Sequence, residues 1–113
     1  MNPSSEILTL ARMAQEGLSA VFRFRASTGL DIEQVLIYVA LGSMNLEASP
    51  DNVTTLQPVT IATLCQSIEL PRETVRRKLL QLEEQKYVKR SAAGFFIEDL
   101  QRWSELAARF ARS

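Results

Sequence analysis

The sequence contains no histidine and a single cysteine, Cys65. The commonest metal ligand and the commonest general base are therefore missing. One cysteine closes no internal disulfide, which suits a reducing cytosol. Glycine and proline number four each, and no Gly-rich phosphate loop or low-complexity tract occurs. No stretch approaches the roughly 20 consecutive apolar residues of a membrane span. Residues 1–6 carry no basic segment, so no secretory signal is expected. Charge of one sign is not in excess either, since 13 basic residues face 13 acidic ones, whereas a nucleic-acid binder usually carries a basic surplus. The carboxylate pairs Glu83-Glu84 and Glu98-Asp99 are sequence neighbours on helices and do not face one another. Together these absences argue against an enzyme, and no cofactor or metal is expected.

What is present is an ordinary globular composition, 46% hydrophobic and 23% charged over 113 residues, enough for one domain spanning residues 1–113 with a real core. Residues 5–48 read as two helices. The first, about 5–27, carries Ile7, Leu10, Ala11, Ala14, Leu18, Val21 and Ala26 at helical spacing, widened by Leu8, Phe22 and Phe24. So broad an apolar surface calls for more than one neighbour, and a partner subunit is one. Gly29 suits a left-handed cap. Asp31 and Gln34 form a capping box for the second helix, whose nearly all-apolar run from Val35 to Leu41 predicts a central, buried position. Gly42 in that helix permits close packing or marks a weak point. Ser49-Pro50-Asp51-Asn52 is a turn cluster opening an irregular stretch over residues 49–58.

In residues 59–97, Val59 is a candidate one- or two-residue strand. Thr60 caps a short helix, Ile61 to Ile68, whose core face is Ile61, Leu64, Cys65 and Ile68. Glu69-Leu70-Pro71 is a tight turn, and Pro71 opens a helix over about 71–85. Val75, Leu79 and Leu82 fix its buried face. Two strands, 87–90 and 95–97, flank a turn at residues 91–94, with Gly94 the residue most in need of a positive φ. A last helix covers residues 98–112, with Leu100, Trp103, Ala107 and Phe110 on one face, and acids first and arginines last, as the helix dipole prefers.

At ~100° per residue, Glu73 and Arg77 point away from the core face of the 71–85 helix, with Arg72, Arg76 and Gln81 on the flanks. Arginine donates bidentately to guanine O6 and N7, and glutamate accepts from cytosine N4, so an outward Arg–Glu–Arg face at a helix start suits major-groove readout. The segment 59–97 holds seven basic and four acidic residues, an excess of three, and the rest of the chain has the opposite excess. Phosphate contact calls for such a local surplus. The amino end at Thr60 suits a phosphate.

The run Pro71-Arg72-Glu73-Thr74-Val75-Arg76-Arg77, followed by Leu79, Leu82-Glu83 and Tyr87-Val88, resembles the recognition helix of the cyclic-AMP receptor protein family, and is also similar to the GntR and IclR families. Residues 59–97 resemble a winged helix-turn-helix of bacterial transcription regulators. The order of elements, with a long helix before the motif and another after the wing, is similar to MarR-type regulators. The resemblance implies a mainly α fold with a small β-hairpin, a winged helix-turn-helix with flanking N- and C-terminal helices. It also implies sequence-specific binding of double-stranded DNA by a homodimer paired through those flanking helices, with recognition helices in successive major grooves ~34 Å apart. Base reading falls to Arg72, Glu73, Arg76 and Arg77, and backbone contact to Thr60, Thr74, Gln81, Lys89 and Arg90. Three features depart from the pattern. Pro71 stands where a Ser or Thr often contacts phosphate, Leu80 lies off the core face, and the wing turn is short and uncharged.

Blander readings stand beside these. Glu73 and Arg77 are spaced i, i+4 and fit a helix-stabilising pair. Cys65 fits a small core residue or a redox sensor, and Trp103 and Phe110 fit core, dimer interface or a ligand pocket. The balanced net charge, Leu80 and the plain wing also suit a winged helix that contacts another protein and no DNA.

Overall fold

A computed structural model describes the backbone of residues 3–47 and 56–111 and the side chains of residues 4–47 and 56–108. Five helices and one antiparallel hairpin follow in the order α1 (Pro3–Thr28), α2 (Ile32–Glu47), α3 (Ile61–Ile68), α4 (Arg72–Glu84), β1 (Val88–Ser91), β2 (Gly94–Ile97) and α5 (Leu100–Ala111). The fold is mainly helical with a small two-stranded hairpin. Asp51 and its turn cluster, and the side chain of Phe110, lie outside the described residues.

The helix ends follow from local chemistry. Gly29 terminates α1 at φ +78°, where its N–H donates to the Arg25 carbonyl at 2.7 Å. The capping box forms as the sequence predicts: the Gln34 N–H donates to Asp31 Oδ1 at 2.8 Å, and the Asp31 N–H donates to Gln34 Oε1 at 2.9 Å. Thr60 caps α3 by accepting the Thr63 N–H at 3.2 Å. Pro71 is the cap of α4 rather than its first turn. At the far end of α4, Lys86 takes a left-handed φ of +64°, its N–H donating to the Glu83 carbonyl and that of Tyr87 to the Leu82 carbonyl. This is a Schellman ending with lysine where glycine is usual. The last helix starts at Leu100, not 98, because Asp99 is its cap, accepting the Arg102 N–H at 3.1 Å. The two acids therefore precede α5 instead of filling its first turn.

The apolar run of α2 makes it the central element, in contact with the other four helices and with β2. Val35, Ile37, Tyr38 and Leu41 are fully buried on it. Tyr38 stacks on Phe24 of α1 and meets Tyr87 edge-on, at centroid distances of 6.4 and 5.4 Å. Gly42 serves close packing. The Trp103 indole of α5 lies directly on it and donates to the Tyr38 carbonyl at 3.1 Å. Trp103 is thus a core residue joining α5 to α2. On the other side, Val75, Leu79 and Leu82 of α4 and Leu64 of α3 fill the core as their spacing predicts, and Cys65 is partly buried.

The hairpin pairs Val88 with Ile97 and Ser91 with Gly94 around the two-residue turn Ala92-Ala93. Val59 adds a third, one-residue strand. Its N–H donates to the Phe95 carbonyl at 3.0 Å, and the Phe95 N–H returns the bond at 2.8 Å. Gly94 combines φ +146° with close approach, since a Cβ there would stand 2.7 Å from the Val59 carbonyl oxygen. Asn45, fully buried, locks these parts together. Its Nδ2 donates to the Gln57 and Phe95 carbonyls at 2.7 and 3.1 Å, and its Oδ1 accepts the Ile97 N–H at 3.0 Å. Nothing in the sequence pattern singles this residue out.

The broad apolar face of α1 is covered only in part within the described residues. Of its apolar side chains only Ala20, Val21 and Phe24 are buried, whereas Ile7, Leu10, Leu18 and Phe22 remain exposed. The neighbours α2 and α5 cover only its C-terminal part.

Candidate nucleic-acid interface

The buried stripe of Val75, Leu79 and Leu82 turns the opposite arc of α4 to solvent. Arg72, Glu73, Arg76 and Arg77 are all exposed in its first two turns. Glu83 and Glu84 close the helix. Charge in this order opposes the helix dipole, which favours acids at the N-terminus and bases at the C-terminus. Glu73 in the first turn suits that dipole and Arg72 does not, so local helix stability does not account for Arg72.

Two of the outward groups hold each other. Arg76 donates to both carboxylate oxygens of Glu73, with Nε to Oε2 at 2.9 Å. Hydrogen bonding to Arg76 holds the Glu73 carboxyl below its usual range, against a small desolvation effect, and raises the Arg76 guanidinium in turn. The pair is thus i, i+3, not the i, i+4 pair that the spacing of Glu73 and Arg77 suggests. Arg77 makes no ion pair among the described residues.

The hairpin stands beside the start of α4. Thr60, Ala62, Arg72, Arg90, Ser91 and Gly94 are among the residues around a shallow cleft of about 260 Å³ between the start of α3, the first residue of α4 and the turn. The cleft brings together three predicted contact residues, Thr60, Arg72 and Arg90, from three separate elements. Arg90 also bonds Glu83 at 3.1 Å and lies over the Phe95 ring, so it is braced between α4 and β2. Lys89, on the other side of β1, is exposed, with its ammonium 5.9 Å from the Phe96 ring centre. Thr74 is half-buried.

Gln81 lies elsewhere. Its Oε1 accepts from Gln34 Nε2 at 2.8 Å, within the contact of α4 with α2. That bond turns its amide away from the outward arc. Lys78 also leaves the basic surface. Its ammonium is mostly buried and bonds Asp31 at 2.6 Å, with Glu33 at 3.8 Å. Burial raises the pKa of Asp31, but the Lys78 bond, the Gln34 N–H and the charges of Lys78 and Arg25 hold it below the ordinary value overall. The sequence held a signal for Lys78: it stands three residues after Val75 and one before Leu79, on the core side of the helix. Leu80 sits in the outward arc and is half-buried.

A second concavity lies at the other end of α3. Leu36, Val39, Ala40, Ile68 and Leu70, with Glu33 at the edge, enclose an almost wholly apolar groove of about 380 Å³. Among the described residues, no group of cysteine, aspartate and glutamate is arranged to hold a metal ion, and no helix is long and apolar enough to cross a membrane. Comparison with protein-family models, with curated proteins and with solved structures finds no match to this chain.

Proposed function

We propose that the chain is a winged helix-turn-helix transcription regulator of the bacterial cytoplasm, binding double-stranded DNA with α3 and α4 as the helix-turn-helix and β1–β2 as the wing. The observation that carries this reading is the outward arc of Arg72, Glu73, Arg76 and Arg77 in the first two turns of α4. Arg77 would read guanine, Glu73 would accept from cytosine, and Arg76 would join once its bond to Glu73 opens. The acidic end of α4 requires the helix to enter the groove by its N-terminus. Thr60, Arg72 and Arg90 around their shared cleft, with Lys89 beside it, would meet phosphates. Gln81 and Lys78 take no part. As a homodimer the protein would present two such helices to a pseudo-palindromic site.

Selection of bound sequences from random duplex DNA tests this reading, and the expected result is a two-fold symmetric site. With three cationic phosphate contacts per subunit, Arg72, Lys89 and Arg90, affinity should fall roughly 40-fold per subunit between 50 and 200 mM salt. Arg77→Ala should relax preference at one base position, while Lys89→Ala should weaken all sequences alike. Absence of duplex binding at low salt would overturn the reading. In that event the apolar groove between α2 and α3 favours the other use of such a fold, contact with a second protein.

A further inference from the structure

The outward arc of α4 carries four charged side chains in two different conditions. Arg72 and Arg77 make no ion pair among the described residues, whereas Glu73 and Arg76 hold each other. Their contact is bidentate: Arg76 Nε donates to Glu73 Oε2 at 2.9 Å, and Nη2 donates to Oε1. Exposed ion pairs generally contribute little, and bidentate arginine–carboxylate geometry is the exception. Both oxygens of the carboxylate and one edge of the guanidinium are thereby taken, and the pair has no net charge. Residues 73 and 76 stand about 60° apart round the helix and ~4.5 Å apart along it. Base pairs are stacked ~3.4 Å apart, so in a major groove the two side chains meet neighbouring base pairs. Each group can therefore find its own partner on DNA, but only by giving up the other.

We propose that Glu73 and Arg76 form a clasp that opens over cytosine and stays closed elsewhere, so that the Arg76 contact depends on the base that Glu73 meets. The proposal rests on the DNA reading above. Over cytosine, the N4 amino group offers the carboxylate a donor in place of Arg76. The released guanidinium then takes the neighbouring guanine or a phosphate. Over thymine, an O4 acceptor stands where the amino donor would be. A carboxylate that left Arg76 there would lose its hydrogen bonds and gain none, among phosphates of its own sign. The clasp holds, and Arg76 adds no contact. One of the three arginines of the arc is thus withheld from sequences that lack the cytosine, and the preferences at two neighbouring base pairs are linked rather than independent.

A cycle of Glu73→Ala and Arg76→Ala on two duplexes tests the clasp, with fluorescence anisotropy of the labelled DNA as the readout. The first duplex is the best sequence from the selection above. In the second, the cytosine–guanine pair whose preference Glu73→Ala abolishes is replaced by thymine–adenine in both half-sites. With Glu73 present, Arg76→Ala should weaken binding to the first duplex about tenfold more than to the second, where the only loss is the charge left bare on Glu73. In the Glu73→Ala background Arg76 is never clasped, so Arg76→Ala should weaken both duplexes alike, by about fivefold or more. Glu73→Ala alone should steepen the salt dependence on random duplex by about one phosphate contact. Both side chains are exposed, at 47% for Arg76 and 72% for Glu73, so folding does not confound the result. The clasp is overturned if Arg76→Ala weakens the two duplexes equally while Glu73 is present, or if the salt dependence in Glu73→Ala is unchanged. It is also overturned if Arg76→Ala acts less than about twofold in the Glu73→Ala background, which would make Arg76 a brace for Glu73. Each of these results leaves the DNA reading standing. A wild-type chain without affinity for any duplex at low salt overturns that reading, and the clasp with it.

Discussion

Replacing Gly42 with alanine adds one methyl group in the most crowded place on α2. An ideal Cβ there would lie 2.1 Å from Trp103 Nε1, 2.2 Å from Cε2 and 2.6 Å from Cδ1, where carbon contacts normally begin near 3.5 Å. The α2 backbone is held on several sides by the elements around it, so the indole must yield by more than 1 Å. It then loses its bond to the Tyr38 carbonyl, about 1 kcal/mol, and much of its packing, where complete removal of a buried aromatic costs about 3–5 kcal/mol. The better helix propensity of alanine returns about 1 kcal/mol. The net loss is about 2–4 kcal/mol, which at roughly 4 °C per kcal/mol lowers the unfolding temperature by about 8–16 °C. Circular dichroism on heating reads the stability. Emission of Trp103, the only tryptophan, reads the displacement as a red shift. In a Trp103→Leu background the same alanine should be neutral or mildly stabilising. An unchanged unfolding temperature with unchanged emission in Gly42→Ala would refute the reasoning.

Asn45→Ala should cost about 2 kcal/mol or more, because it leaves the Gln57 carbonyl and the Ile97 N–H without their side-chain partner, while the Phe95 carbonyl keeps the Val59 N–H; urea unfolding measures it, and a loss under 1 kcal/mol would contradict the clamp. Tyr38→Phe should leave stability unchanged or raise it by about 1 kcal/mol, since the hydroxyl is buried with no partner among the described residues; a clear loss in the same assay would show that the hydroxyl is bonded after all. Burial also raises the Tyr38 pKa strongly, so alkaline titration should leave this phenol protonated at a pH that ionises free tyrosine. The depressed pKa of Asp31 implies that its contribution is fully present above the ordinary value of 3.8 and is lost as pH falls through the lower folded value. Urea unfolding from pH 7 to 2 should therefore show wild type and Asp31→Asn converging only below about pH 4; a constant gap across that range would count against the Lys78 bond.

Short-range chemistry was the legible part of the chain. Asp31 with Gln34, Thr60 before α3, and Gly29 after α1 announce their helix ends because each acts on backbone groups a few residues away. The spacing of Val75, Leu79 and Leu82 likewise gives the orientation of α4, and with it the outward Arg72, Glu73, Arg76 and Arg77. What the sequence concealed depends on partners far along the chain. Gln81 looks like a surface residue, and Lys78, though on the core side of its helix, shows no partner, until Gln34 and Asp31 are brought beside them from the start of α2, 47 positions away. Asn45 resembles any polar residue near a helix end until the hairpin arrives, about 50 residues later. The apolar stripe of α1 was legible as a face that wants cover, but periodicity does not say whether this chain supplies it.

The start of α2 has a further consequence. Gln34 uses its Oε1 to cap its own helix and its Nε2 to hold Gln81, while Asp31 caps the same helix and holds Lys78. The same two side chains thus begin α2 and secure α4. Fraying, normally the private affair of a helix end, is here shared between two helices. In native-state hydrogen exchange, the amides of the first turn of α2 and those around Lys78 and Gln81 should open as one cooperative unit with one free energy. The helix that carries the outward arginines should therefore be no more mobile at its middle than the centre of the core against which it is tied.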